Sequence, residues 1–105
     1  MNSTKFDPDF GIEEQCYDCA RKHLGTAHAY FLEASSGRYP AHFWLGIGEL
    51  VLAASHVRRI KPDLAITIDN EKQHALEDPN YWINVRPILS LIELLVINHN
   101  KKEAV

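Results

Sequence analysis

Between Pro40 and Ile60 the chain reads PAHFWLGIGELVLAASHVRRI. Placed on a helix, Phe43, Trp44, Leu45, Ile47, Leu50, Val51, Leu52, Ala54, Val57 and Ile60 point in nearly every direction. A helix of that kind is buried on several sides. In a chain of 105 residues this leaves two arrangements: a central helix wrapped by the rest of the fold, or a helix at a subunit interface. Gly46 and Gly48 each cost about 1 kcal/mol of helix propensity relative to Ala, which marks them as places where another backbone or a ligand comes close. Pro40 suits the first turn, where it leaves no N–H unpaired, and Pro62 marks the exit.

The flanking segments follow the same period. Cys16, Ala20, Leu24, Ala27, Phe31 and Ala34 are spaced by three or four, which predicts a helix from about Glu13 to Ser36. Gly37 suits the left-handed position that ends it. The connection to the next helix is short, so the two lie antiparallel. Residues 63 to 77 are ambiguous. Leu64, Ala65, Ile68, Ala75 and Leu76 suit a helix capped by Asp63, whereas Ala65-Ile66-Thr67-Ile68 suits a short strand. No second strand pattern exists to pair with it, so a helix is expected. After the turn residues Asp78-Pro79-Asn80, a last helix is expected from about Tyr81 or Val85 to His99. Val85, Ile88, Leu89, Ile92, Leu95 and Val96 form its core face, and Pro87 either lies in its first turn or kinks it. Lys101 and Lys102 follow near the negative end of its dipole.

The expected fold is therefore all-α, a single helical domain over 1–105, built as a compact bundle of three long helices and one short one. Residues 1 to about 11 are read as an extended arm packed through Phe6 and Phe10. Apolar excess on two helices (Leu91, Leu94 and Ile97 widen the stripe of the last one) predicts a homo-oligomer. Eleven Lys and Arg against fourteen Asp and Glu give a formal charge of −3, which argues against bulk nucleic-acid binding. The longest apolar run, Leu50 to Ala54, falls far short of the roughly 20 residues that span a bilayer. The start MNSTKFDPDF has no apolar signal core. A reducing, cytoplasmic setting is expected, with no membrane partner.

The chemistry-bearing residues fall into four groups. In CYDCARKH, Cys16, Cys19 and His23 share one helical face. That is a partial zinc shell, a dithiol if Cys16 lies near a helix N-terminus, or plain core packing of buried thiols. Arg21, Lys22 and His23 form a cationic corner. His23, Thr26, Tyr30 and Glu33 make a polar helical row, either the wall of a pocket for a polar, ring-bearing ligand or an interhelical seam. On the apolar helix, His42, Glu49 and His56 recur every two turns. Carboxylates are rarely buried without a partner, so this line either orders the bundle or faces a cavity. On the last helix Arg86, Ser90 and Glu93 repeat the pattern. Arg86 suits an ion pair with Glu49 or a grip on phosphate, and a plain surface row is the blander, favoured alternative. No P-loop, dinucleotide fingerprint, nucleophile elbow or HExxH is present, so positive evidence for catalysis is thin.

These residues carry a resemblance. Cys16, Cys19, Lys22, His23, Leu24 and Ala27, then Glu33-Ala34, then GRYPAHFWLGIGEL with Gly37, His42, Leu45 and Gly48, resemble a group of small phage and prophage helical proteins. The pattern is CxxCxxKHLxxA, a later EA, and a Gly- and Tyr-containing turn into a helix. The likeness spans most of the chain through short motifs. Small phage proteins of this kind include oligomeric sponges that sequester nucleotide signals of bacterial immunity.

The expectation is a non-enzymatic ligand-binding oligomer without cofactor or metal, its ligand a small nucleotide-like molecule if the resemblance holds. Its site would comprise Lys22, His23, Tyr30, His42, Trp44, Glu49, His56 and Arg86. The alternative is a zinc-stabilised structural or protein-interaction module built on Cys16, Cys19 and His23. A hydrolase using Glu49 and the histidines ranks third.

Overall fold

The computed structural model describes residues 14–78 and 80–104, with side chains to residue 99. The expected N-terminal arm lies outside these residues, and the side chains of Lys101 and Lys102 lie outside those described. Four helices follow one another: α1 Tyr17–Ser35, α2 His42–Val57, α3 Pro62–Glu77 and α4 Arg86–Ala104. The all-helical expectation holds, and the ambiguous segment is helix. It is not the short member, however. α3 has 16 residues, as many as α2, while α1 and α4 have 19 each.

Local chemistry sets the ends. Cys16, with extended backbone, is the N-cap of α1, and its Sγ accepts the Cys19 N–H at 3.0 Å. Gly37 leaves α1 at φ 81°, a left-handed conformation open to glycine at little cost. A run of tight turn bonds from Tyr39, Pro40 and Ala41 leads into α2, so Pro40 precedes the helix. The capping role assigned to Asp63 falls away. Lys61 is the N-cap of α3, without a side-chain bond, Pro62 takes the first helical position and Asp63 sits in the first turn. There a carboxylate still complements the dipole.

α1 packs against α2 and α4, and α2 packs against α3 on its other side. The result is a plate of 44 × 40 × 19 Å, with its thinnest dimension close to two helix diameters of about 10 Å each. Leu24, Leu50, Val57, Ile68, Val85 and Ile92 are its largest fully buried side chains. The apolar helix is thus central but not enclosed. Ile47, Leu50, Ala53, Ala54 and Val57 are buried, while Trp44, Leu45 and Val51 remain outside. α4, held along α1, likewise leaves Leu91, Leu94 and Ile97 about half exposed.

The two α2 glycines behave differently. A Cβ on Gly46 would meet the ring of Phe31, 2.8 Å from Cδ1 and 2.7 Å from Cζ, whereas a Cβ on Gly48 meets nothing within 4 Å. Close approach was expected at both; it occurs at Gly46, and the neighbour is a ring. Phe31 is 3 % exposed and is set against Phe43, so it has little room to yield. Gly46→Ala is therefore expected to destabilise by about 1–2 kcal/mol, overpacking outweighing the gain in helix propensity. Gly48→Ala, two residues on, is expected to stabilise by up to about 1 kcal/mol. Urea unfolding of the two variants checks the opposite signs.

Candidate functional site: a polar seam and an aromatic cleft

The polar rows of α1 and α2 meet each other. Because the helices run antiparallel, the start of one faces the end of the other. His23 Nδ1–H donates to Glu49 Oε1 at 2.6 Å. The His23 ring stacks on His56, centroids 5.2 Å apart and planes 12° apart. His56 Nδ1–H donates to the Glu14 carbonyl at 2.8 Å, which places the ring proton on Nδ1. The Cys16 N–H donates to the His56 carbonyl at 2.9 Å, and Gln15 Nε2 donates to the Ser55 carbonyl, pinning the start of α1 to the end of α2.

At the other end of the seam His42 lies face to face with Tyr39, centroids 4.9 Å apart, and edge-on to Tyr30 at 5.3 Å. Its Nδ1 is 3.4 Å from Glu33 Oε1, beyond good hydrogen-bonding geometry, and is enclosed without a hydrogen-bond partner. The line of His42, Glu49 and His56 is thus divided into local contacts, each made to α1 or to the residues flanking it. Glu49 is answered by His23, not by Arg86. The cationic corner is likewise committed: Arg21 and Lys22 both pair with Asp18, at 2.7 and 3.4 Å, and hold its carboxyl below the usual carboxylate range, the Arg21 hydrogen bond being the main cause. Thr26 bonds back to the Lys22 carbonyl.

A carboxylate-oriented imidazole is the arrangement of a general base, but a base needs a substrate beside it. Neither of the two clefts described below is lined by His23, Glu49 or His56. The pair joins α1 to α2. Glu49→Ala should therefore lower stability by about 1–2 kcal/mol, the range for a charged hydrogen bond partly open to water. A denaturant midpoint at neutral pH measures it. Among the described residues no three His, Cys, Asp or Glu side chains come together as a metal shell, so Cys16, Cys19 and His23 are not gathered around one point.

The larger cleft, about 820 Å³, lies where the α1–α2 turn meets the α3–α4 connection. Phe43, Trp44, Tyr81 and Trp82 supply four aromatic rings, and Ala34, Ser35, Pro40, Ala75, Leu76 and Asn80 complete the wall. Its volume is within the range of about 300–1,000 Å³ usual for small-molecule sites. The α3–α4 connection is held in place from α3. Tyr81 O–H donates to Glu71 Oε1 at 2.7 Å, a bond that raises the tyrosine pKa, and His74 meets the Tyr81 ring edge-on. Asn80 N–H donates to Asp78 Oδ1 and Tyr81 N–H to the Asp78 carbonyl. A smaller cleft, about 130 Å³, is lined by His28, Phe31, Leu32, Trp82, Ile83, Asn84, Val85 and Arg86. Trp82 lines both, so the apolar cleft and the recess lined by Arg86 and His28 share one residue.

Of the eight residues expected to form one site, Trp44 lines the larger cleft and Arg86 the smaller. His23, Glu49, His56, Tyr30 and His42 form the seam, and Lys22 lies on the surface. Phe43, Tyr81, Trp82 and His28 were not anticipated. Tyr81-Trp82 directly after a turn was the one available signal, since two adjacent rings there answer no helical period.

The chain matches no protein-family model, no curated protein and no solved structure. The likeness to small phage helical proteins therefore rests on its motif residues alone.

Proposed function

We propose that the protein is a non-enzymatic, oligomeric binder of a small ring-bearing molecule with an anionic group, nucleotide-like in class. The aromatic cleft carries this reading. Rings that line an apolar hollow at one end of a helical plate offer flat surfaces for a base. Arg86, which lines the smaller cleft together with Trp82, would hold a phosphate, which its planar fork matches. The site thus moves from the His–Glu line to the end of the bundle, with Trp44 and Arg86 kept from the original set. The phage resemblance directs the choice of ligand toward nucleotide-derived immune signals, held intact. Leu91, Leu94 and Ile97 on α4, with Trp44, Leu45 and Val51 on α2, support self-association.

Isothermal titration with mononucleotides, cyclic nucleotides and cyclic oligonucleotides tests the reading. Saturable binding of at least one class, with the ligand recovered unchanged on heating, is expected. A cleaved product would contradict sequestration, and no binding across the panel would remove the nucleotide assignment.

A further inference from the structure

A second feature, independent of the cleft, lies at the start of α1. We propose that Cys16 and Cys19 are a redox-active dithiol that closes to an intramolecular disulfide by exchange with a low-molecular-weight disulfide.

The geometry is asymmetric. Cys16 is the N-cap and its sulfur accepts the Cys19 N–H at 3.0 Å. The Cys19 thiol shares a hydrogen bond with Cys16, which, ahead of burial, pushes its pKa up to about 11. Cys16 Sγ thus lies against the Cys19 backbone nitrogen, and both cysteines are free and half-buried, partly open to a small reagent. Cys16 as the cap and Cys19 as the third helical residue lie about one turn apart, roughly 5–6 Å between Cα atoms, inside the span of about 4.4–6.8 Å that a disulfide bridges. A Cys-x-x-Cys pair at a helix N-terminus is where one sulfur becomes the attacking group. Here that sulfur is Cys16, which holds the capping position and already accepts an N–H of the first turn.

The exchange balances without another reagent. Cys16 thiolate, its proton lost to solvent, attacks one sulfur of the incoming disulfide. That S–S bond breaks, and the first thiolate leaves and takes up a proton. Cys19 then attacks Cys16 Sγ in the mixed disulfide, passing its proton to the second departing thiolate. Two protein thiols are oxidised to one disulfide, and one small disulfide is reduced to two thiols.

The test uses the full chain, equilibrated in glutathione buffers of rising oxidised fraction, acid-quenched and weighed without reductant. The expected product is lighter by two hydrogens, carries no glutathione and reverts with dithiothreitol. Cys19→Ser should retain one glutathione on Cys16. Cys16→Ser should react at least about tenfold more slowly, its remaining thiol lying past the capping position, where activation by the helix N-terminus is weaker. Wild-type protein that leaves both thiols free, while its urea-unfolded form oxidises, would overturn the proposal. So would glutathione held on both cysteines with no internal bond. The wild-type measurement stands whether or not either variant folds.

Discussion

Phe31→Ala is expected to lower the unfolding free energy by about 3–5 kcal/mol, the range for deleting a buried aromatic ring. Domains of this kind are held by about 5–15 kcal/mol in total, so the variant approaches the limit of folding. The ring is 3 % exposed, fills the space opposite Gly46, packs on Phe43 and floors the smaller cleft. One side chain thus ties the α1–α2 hairpin to the wall of the candidate site. Urea unfolding followed by circular dichroism gives the magnitude. A double-mutant cycle isolates the contact: Phe31→Leu should relieve part of the penalty of Gly46→Ala, because the two substitutions act on one space. Additive penalties would place the cost of Gly46→Ala elsewhere.

Trp82→Ala is expected to weaken ligand binding by about ten- to a hundredfold. Stacking a base on an aromatic side chain contributes about 1–3 kcal/mol, and each 1.4 kcal/mol is tenfold in affinity. Trp82 also lines both clefts, so its loss removes a stacking surface shared by the two. Trp44→Ala should cost less, since Trp44 is 64 % exposed and serves the larger cleft alone. Arg86→Ala should weaken phosphorylated ligands and leave the matching nucleoside nearly unaffected. Titration calorimetry on the three variants gives the order. At 54 % exposure, Trp82 can be removed with little loss of core, which separates the binding effect from unfolding.

What could be read from the chain, and what could not, follows from the range of each signal. The helices were legible because Cys16, Ala20, Leu24, Ala27 and Phe31 repeat a period that needs no knowledge of the partner. The polar rows were legible as rows for the same reason. Their pairing was not, because a period gives a face without its register. His23 was on one row and Glu49 on another, and only the antiparallel packing of α1 and α2 sets them 2.6 Å apart. The aromatic cleft lay furthest from reach. Its walls come from residues 34–44 and 75–82, at the ends of three helices and in a connection, where no repeat operates. The fate of α3 makes the same point in reverse: a segment ambiguous by local pattern became helix once Leu64, Ala65, Ile68 and Ala75 had a core to enter.

On the proposed function, small molecules bind at the aromatic end of the plate and not along the His–Glu seam. The chain has two tryptophans, and both line the larger cleft. A two-dimensional NMR titration of nitrogen-15-labelled protein with a bound nucleotide therefore reads the site through two indole N–H signals. Movement of both indole signals, with the imidazole resonances of His23 and His56 unchanged, is the predicted result. Still indoles and shifting imidazoles would return the site to the α1–α2 seam and contradict the account.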